Sequence, residues 1–144
     1  MSMPLRVIVV DDEQLAREEL CYQLEQAQEV EVVAQAGNGV EALSAIDRVD
    51  PDLVFLDIQM PGLGGFEVAR RLLERDDDSP ALVFVTAYAQ HAIEAFEVNA
   101  VDYLLKPVDS DRLEQALARA RRRLSAERGP AGAAVPLNDQ LEQI

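Results

Sequence analysis

The sequence predicts an α/β fold in which a parallel sheet is covered by helices on both faces. Short apolar runs rich in Val, Ile and Leu alternate five times with longer segments whose apolar residues recur at helical spacing. The runs carry little internal charge, which is typical of strands buried on both faces. Strands that alternate with helices are joined by right-handed crossovers, so the chain is predicted to form one doubly wound domain.

The N-terminal part is predicted to contain two strands with a helix between them. Leu5–Val10 is a short apolar run rich in Val and Ile and is expected to be a buried strand. Residues 30–34 form the second strand, which is expected near an edge of the sheet because Glu31 places a charge within it. The helix between them, residues 14–27, has four apolar residues on one face: Ala16, Leu20, Leu24 and Ala27.

The middle of the chain is predicted to supply the second helix, the third strand and the third helix. Residues 40–49 form a helix that stops before Asp50-Pro51, because a residue that precedes proline avoids the α region. Leu53–Leu56 is a buried strand that ends at Asp57. In the third helix, which follows a glycine-rich loop, three apolar residues are expected to face inward: Phe66, Ala69 and Leu73.

Two strands and two helices complete the prediction. Ala81–Val85 ends at Thr86, and Val101–Leu105 ends at Lys106, with a short helix over residues 90–98 between them. The last helix, residues 110–126, places four apolar residues on one face: Leu113, Leu117, Ala120 and Leu124. Five strand–helix units fit the flavodoxin-like strand order 2-1-3-4-5.

Length and terminal composition predict how the chain is divided. Its 144 residues correspond to about one domain. We expect that domain to span residues 4–127, and residues 128–144 to be a linker toward a further C-terminal domain, because the segment after Arg128 is rich in Gly, Pro and Ala. No apolar run approaches the ~18 residues of a membrane span. The single cysteine, Cys21, excludes an internal disulfide, and we expect a cytoplasmic protein.

The net charge of the chain indicates which classes of partner it can bind. The formal net charge of −14 repels nucleic acid and favours cations or basic partners, so DNA binding is expected only through another domain. The local exception is a group of arginines late in the last helix, which either complement the helix dipole or form a nucleic-acid patch: Arg119, Arg121, Arg122 and Arg123.

Chemically informative residues follow four of the predicted strands. Asp11 and Asp12 follow the first strand, Asp57 the third, Thr86 ends the fourth, and Lys106 follows the fifth. In an open α/β sheet ligands bind outside the carboxyl ends of the strands. Since strands 1, 3, 4 and 5 are consecutive in the order 2-1-3-4-5, we expect these residues to share one rim.

The expected cluster has the composition of a site for a hard cation and a phosphoryl group. Three neighbouring carboxylates raise one another's pKa unless a cation is bound. Oxygen ligands without sulfur or imidazole suit Mg2+, or Mn2+ as the alternative. Lys106 is the only lysine in the chain, and its compact ammonium can approach a phosphoryl oxygen as a point charge. The competing interpretation is a surface lysine before a turn-forming proline.

The segments that carry these residues resemble the receiver domains of bacterial response regulators. The resemblance covers residues 5–125 and rests on four segments: Val9–Glu13, Leu56–Gly62, Val85–Tyr88 and Tyr103–Pro107. Residues 95–107 also resemble regulators of the LytR/AlgR class, whose members carry a C-terminal LytTR DNA-binding domain.

The resemblance implies a phosphoacceptor and a metal site. Asp57 would be the nucleophile that accepts the phosphoryl group. Mg2+ would be held by the carboxylates of Asp11, Asp12 and Asp57 and by the backbone carbonyl of Gln59. The phosphodonor would be a sensor histidine kinase or a small acyl phosphate.

The resemblance also implies residues that bind the phosphoryl group and transmit the change. Lys106, in the family's usual cis peptide with Pro107, would pair with Asp57 before transfer and with the phosphoryl group afterwards. Thr86 would donate its hydroxyl, and Tyr103 would be the aromatic switch residue. Gln59 and Tyr88 would tune the rate of dephosphorylation.

The implied function is a signalling switch that catalyses only its own phosphotransfer and slow autodephosphorylation. The face formed by the fourth helix, the fifth strand and the fifth helix would contact a second copy in a homodimer or an output domain that regulates transcription. A pseudo-receiver that is never phosphorylated and an aspartyl-phosphate hydrolase are the alternatives. The intact acid set disfavours the first, and Gln59, in place of a second acid, disfavours the second. A flavodoxin-type cofactor binder is disfavoured because no glycine-rich loop follows the first strand.

Overall fold

Five parallel strands form one sheet in the order β2-β1-β3-β4-β5. The computed structural model describes residues 4–75, 79–88 and 98–128. The strands are β1 Leu5–Val10, β2 Val30–Ala36, β3 Leu53–Leu56, β4 Ala81–Thr86 and β5 Asp102–Leu105. The described helices are α1 Gln14–Gln26, α2 Gly39–Val49, α3 Gly65–Leu73 and α4 Ser110–Arg128. The predicted fold class and strand order are confirmed.

Successive residues of the central strands enter two separate apolar layers. In β1, Val7 and Val9 pack on one face of the sheet and Ile8 and Val10 on the other. The first layer is closed by α1 and α4 and includes Leu20, Leu24 and Leu117. The second is closed by α2 and α3 and includes Ile46 and Leu72. Because both faces are covered, the central strands are mostly apolar and show no polar alternation.

The inner face of the third helix differs from the prediction at one position, where Leu72 replaces Leu73. Leu73 is 51% exposed, whereas Val68, Ala69 and Leu72 are buried. From Ala69, helical spacing permits either leucine to lie on the inner face, since residues three and four positions later are both neighbours. Phe66 is inward as expected, with its ring centroid 4.9 Å from that of Phe84 in an edge-on arrangement.

Other element boundaries differ by a few residues. The second strand extends to Ala36 and lies at an edge of the sheet, as its charge pattern predicted. The helix predicted over residues 90–98 lies outside the described residues except for Val98, which is in a turn. The last helix continues to Arg128, and the rest of the predicted linker lies outside the described residues.

The arginines of α4 mostly bind the domain itself. Arg119 pairs with Asp102 at 3.1 Å. Arg121 donates to two backbone carbonyls of the loop before β2, and Arg123 donates to a carbonyl of the turn before β5. These contacts explain three of the four guanidinium groups without nucleic acid. Within the described ranges, no helix has the length and apolar character needed to cross a membrane.

Candidate functional site

The carboxyl ends of β1 and β3 place two aspartates side by side. The N–H of Asp57 donates to the carbonyl of Val10 at 3.0 Å, and the N–H of Asp11 donates to the carbonyl of Ala36 at 3.1 Å. The hydrogen-bond ladder therefore continues one residue beyond the strands and fixes both backbones. Only 5% of Asp11 and 6% of Asp57 is exposed, so both carboxylates are held in a largely dehydrated pocket.

The start of α3 presses against the backbone of Asp57. The N–H of Gly65 donates to the carbonyl of Ile58 at 2.9 Å. A Cβ atom at this position would lie 2.3 Å from the carbonyl oxygen of Asp57 and 2.9 Å from the Cα of Ile58. Only glycine permits this approach, so Gly65 is part of the frame that positions Asp57.

Lys106 lies between two of the acids. Its Nζ is 2.8 Å from Oδ2 of Asp11 and 3.3 Å from Oδ2 of Asp57. The structure thus confirms the proximity of lysine and central aspartate, and it adds a shorter contact to Asp11. The Lys106–Pro107 peptide is cis.

Burial is the largest influence on the Asp57 carboxyl. All neighbouring groups taken together raise the pKa of Asp57 from 3.8 to about 6, and burial is the main cause of the rise. The Lys106 ammonium and a hydrogen bond from the Gln59 backbone oppose this rise, and the charge of Asp11 adds to it. Burial alone would lower the pKa of Lys106, but its hydrogen bond to Asp11 and the charges of both aspartates raise it. Lys106 therefore stays an ammonium at neutral pH.

Backbone and side-chain contacts orient Asp11. Its Oδ1 accepts the N–H of Glu13 at 2.9 Å, and its carbonyl accepts Nη1 of Arg17 at 2.7 Å. Oδ2 then remains directed to Lys106. Glu13 occupies the position just before α1 but makes no side-chain cap bond. Arg17, which the sequence did not single out, is a support for the acidic pocket.

Thr86 is fully buried at the end of β4 and is tied to its neighbours. Its carbonyl accepts the N–H of Lys106 at 2.8 Å. Its Oγ1 accepts the N–H of Tyr88 at 3.3 Å, while the carbonyl of Tyr88 accepts the hydroxyl of Tyr103. Three of the predicted residues, Thr86, Tyr88 and Tyr103, therefore form one connected group beside Lys106.

The acids fit a hard divalent cation. Asp11, Asp12 and Asp57 each offer a carboxylate oxygen, and these oxygens lie within 4.8 Å of one another. Mg2+ binds oxygen ligands at about 2.0–2.1 Å in an octahedron, so small side-chain movements suffice to bring such oxygens to one ion. Asp12 is exposed, which leaves room for the water ligands that Mg2+ usually keeps. Gln59 lies in the loop after Asp57 with an exposed side chain, and its carbonyl as a ligand stays a prediction.

An open groove leads away from the acids along α1. It has a volume of about 320 Å3 and is lined by residues of α1 and of the segment after β5, with Asp11 and Lys106 at one end. The apolar part of its wall includes Leu20, Val85 and Val108. Asp11 and Lys106 therefore belong both to the acidic cluster and to the lining of this groove.

A second charge cluster, which was not predicted from the sequence, lies at the start of β5, away from the acidic rim. Asp102 opens β5, is 9% exposed, and forms a two-bond ion pair with Arg112 at 2.7 and 2.9 Å. Arg119 adds a second cation. Burial would raise the pKa of Asp102, but the arginines and the Tyr103 N–H outweigh it and lower the pKa. A charged residue at the start of an otherwise apolar strand was the available signal.

The match to a protein family identifies the kind of domain that contains this pocket. The profile described as the response regulator receiver domain matches residues 7–118. The chain belongs to the response regulator receiver family. This confirms the resemblance predicted from the four segments at the strand ends.

Similar proteins place this receiver domain among transcriptional and sensory regulators. A response regulatory protein of Yersinia pestis is 52% identical over 83% of the chain and 50% of its own length. The sensory transduction protein LytT of Bacillus anthracis is 46% identical over 85% of the chain and 50% of its own length. The transcriptional regulatory protein BtsR of Escherichia coli is 45% identical over 85% and 51%. These relatives confirm the expected LytR/AlgR class, and the chain spans about half of their length.

Solved receiver domains share the fold. The response regulatory domain of mrkE from Klebsiella pneumoniae has a TM-score of 0.76 and 34% identity, covering 83% of this chain and 97% of that one. The domain of AraT from Geobacillus stearothermophilus has a TM-score of 0.76 and 32% identity, covering 88% and 99%. The flavodoxin-like topology predicted from the sequence is the one seen in these structures.

Proposed function

We propose that this receiver domain accepts a phosphoryl group on Asp57 from a sensor histidine kinase and thereby switches a transcriptional output. The proposal rests on one observation: the buried Asp57 carboxylate lies 3.3 Å from Lys106 and within a cluster of three acids that fits a divalent cation. Receiver domains act as signalling switches, and the role assigned here to each residue is our proposal.

The charge balance of the pocket supports a requirement for Mg2+, with Mn2+ as a substitute. Three carboxylates face one ammonium, so the pocket is negative before any phosphoryl group arrives. Asp11, Asp12, Asp57 and the backbone carbonyl of Gln59 would hold the ion. When bound, Mg2+ would offset the repulsion between the acceptor carboxylate and the incoming phosphoryl dianion.

The transfer step needs an ionised Asp57. An oxygen of Asp57 attacks phosphorus in line, a new oxygen–phosphorus bond forms, and the phosphorus–nitrogen bond of the phosphohistidine breaks. The electron pair of that bond leaves with the imidazole of the donor. Catalysis consists mostly of positioning and charge neutralisation, which the fixed Asp57 backbone and Lys106 supply. With a small acyl phosphate, the carboxylate of the donor is the leaving group.

The phosphorylated state would be read by Thr86, Lys106 and Tyr103. The product adds a charge of about −1.5 to −2 to the rim. The hydroxyl of Thr86 would exchange its contact with the Tyr88 N–H for donation to a phosphoryl oxygen. Tyr103 bonds the Tyr88 carbonyl, so movement of that segment alters the position of its ring. A population shift from 1:99 to 99:1 requires about 5.5 kcal/mol of preference, which a few charge-assisted hydrogen bonds supply.

The output is proposed to be transcription through a C-terminal LytTR-type DNA-binding domain. The relatives LytT and BtsR are about twice as long as the segment that matches them, so about half of each lies outside the match, which is enough for such a domain. Residues 4–127 would be the receiver. The surface of β5 and α4, with the segment over residues 90–98, would form a homodimer or contact the output domain. The protein would act in the cytoplasm.

Labelling by acetyl phosphate tests the acceptor. The protein is incubated with acetyl phosphate and Mg2+, and intact mass is measured. We expect one added phosphoryl group with Mg2+ or Mn2+, none with a chelator, and none in Asp57→Asn. Asp47→Asn removes an exposed carboxylate of α2 and is the matched control, which should label like the wild type. Stoichiometric labelling of Asp57→Asn would refute Asp57 as the acceptor.

The rate-tuning role of Gln59 and Tyr88 is tested on the same product. Gln59 lies two residues after Asp57 and its side chain is exposed, and we propose that it affects the approach of a hydrolytic water. Decay of the labelled protein should change in Gln59→Ala and Tyr88→Ala while the amount of label stays the same. Unchanged decay in both variants would contradict the assignment.

A further inference from the structure

The backbone of Tyr103 is held on both sides by one ion pair. Its N–H donates to Oδ1 of Asp102 at 2.8 Å, and its carbonyl accepts Nη2 of Arg112 at 3.3 Å. The same guanidinium group binds both carboxylate oxygens of Asp102, at 2.7 and 2.9 Å. Arg112 and Asp102 thus form a clamp around the peptide groups of Tyr103.

The clamp is anchored in the first turn of α4. The Asp109 carboxylate accepts the N–H groups of Asp111 at 3.1 Å and Arg112 at 3.4 Å, so the helix start is capped directly beside the clamp. Asp102 is 9% exposed, and a carboxylate with so little water depends on its cationic partners. The position of the α4 N-terminus is therefore coupled to the backbone of Tyr103.

From Tyr103 the contacts continue to the rim. Its hydroxyl bonds the Tyr88 carbonyl, and the Tyr88 N–H bonds Oγ1 of Thr86. Hydrogen bonds joined through the covalent framework of Tyr103 and Tyr88 therefore connect Arg112 in α4 to the hydroxyl of Thr86. The planar guanidinium fork is required, because one group must serve two carboxylate oxygens and a carbonyl at once.

We propose that Arg112 is a positioning residue, which acts through Asp102 to hold Tyr103 in place and so couples the start of α4 to the Thr86 segment. Arg119 offers a built-in comparison, because it bonds the same Asp102 oxygen at 3.1 Å from two turns further along the helix. If the carboxylate needed only positive charge, either arginine would serve. Of the two arginines, Arg112 is the one whose guanidinium group also binds the backbone carbonyl of Tyr103.

Fluorine NMR of 3-fluorotyrosine-labelled protein tests this. The chain has three tyrosines, and Tyr103→Phe assigns the line of interest. In Arg112→Gln and Arg112→Lys, we expect the Tyr103 line to move most of the way toward its position in the unfolded protein. Arg119→Gln should leave the line in place. The lysine variant keeps a cation for Asp102 but lacks the fork, so it carries the test if the glutamine variant does not fold.

The result that overturns the proposal is a Tyr103 line that stays in place in Arg112→Lys, or that moves as far in Arg119→Gln. A second measurement, with beryllofluoride and Mg2+ as a phosphoryl mimic, rests on the proposed function. The wild-type Tyr103 line should shift, and the shift should be lost in Arg112→Lys. If the wild-type Tyr103 line does not shift when the mimic is added, the proposed switch is contradicted. The metal-free spectra of the variants decide the role of Arg112 independently of that result.

Discussion

Replacing Asp57 by asparagine should stabilise the metal-free domain at neutral and higher pH. The pKa of Asp57 rises from 3.8 to about 6, so the ionised form is disfavoured in the folded state. A rise of about 2 units at about 1.4 kcal/mol each is about 3 kcal/mol. A raised carboxyl pKa leaves stability intact at low pH and lowers it as pH rises through the folded value. The attraction to Lys106 is already contained in this net rise, so we expect a gain of up to about 3 kcal/mol.

Urea unfolding followed by circular dichroism measures this gain. Wild type and Asp57→Asn are compared in a chelator at about pH 8 and about pH 5, above and below the folded pKa. The free energy difference should be large at the higher pH and shrink at the lower one. Asp47→Asn is the control for the net charge of −14, since it removes one exposed carboxylate of α2. Added Mg2+ should then stabilise wild type more than Asp57→Asn, because the variant has lost a ligand.

Equal stability of wild type and Asp57→Asn at the higher pH would contradict the electrostatic reasoning. So would a gain that Asp47→Asn reproduces, because it would then reflect overall repulsion between charges. A gain that does not change between the two pH values would show that the pKa of Asp57 is not the cause.

Three further perturbations follow from the contacts. Gly65→Ala should lower stability by about 1–3 kcal/mol and slow acetyl phosphate labelling, because its Cβ would lie 2.3 Å from the carbonyl oxygen of Asp57. In the control Gly37→Ala the nearest atoms to the new Cβ are 3.6 Å away, so stability and labelling should both stay unchanged. Asp102→Asn should lower stability by about 1–3 kcal/mol in urea unfolding at neutral pH, because the buried side chain loses its charge-assisted bonds to Arg112 and Arg119. The pKa of Asp102 is lowered in the fold, so this difference should be full above about pH 4 and should close as pH falls further; a constant difference would contradict it. Asn38→Ala removes the acceptor of the Glu41 N–H at 2.9 Å and should lower the unfolding free energy by about 1 kcal/mol, with unchanged labelling. An unchanged unfolding free energy would show that the N-cap of α2 does not stabilise the domain.

The sequence was sufficient where a pattern is local. The apolar runs of Leu5–Val10 and Leu53–Leu56 predicted buried strands because two covered faces leave no polar alternation. Asp50-Pro51 predicted the end of α2, which stops at Val49. The segments around Asp57 and Lys106 predicted the receiver family, which the family comparison confirmed.

The sequence did not determine which of two residues makes a contact where both fit the same local pattern. Leu72 and Leu73 both satisfy helical spacing from Ala69, and contact with the β-sheet decided for Leu72. Lys106 was expected beside Asp57, but its shorter contact is with Asp11, because the Nζ position depends on two strands that are distant in sequence. An ammonium on a flexible stem takes the position of lowest electrostatic energy, and only the folded arrangement defines that position.

What the sequence determined by itself is the order of strands and helices and the set of side chains at the strand ends, since each depends on neighbouring residues along the chain. The tertiary structure alone decided which of those side chains touch. Asp102 and Arg112 are ten residues apart, in a strand and a helix, and no periodic pattern relates them. Their pairing follows from the burial of a carboxylate, which requires a cation nearby once the fold has excluded water.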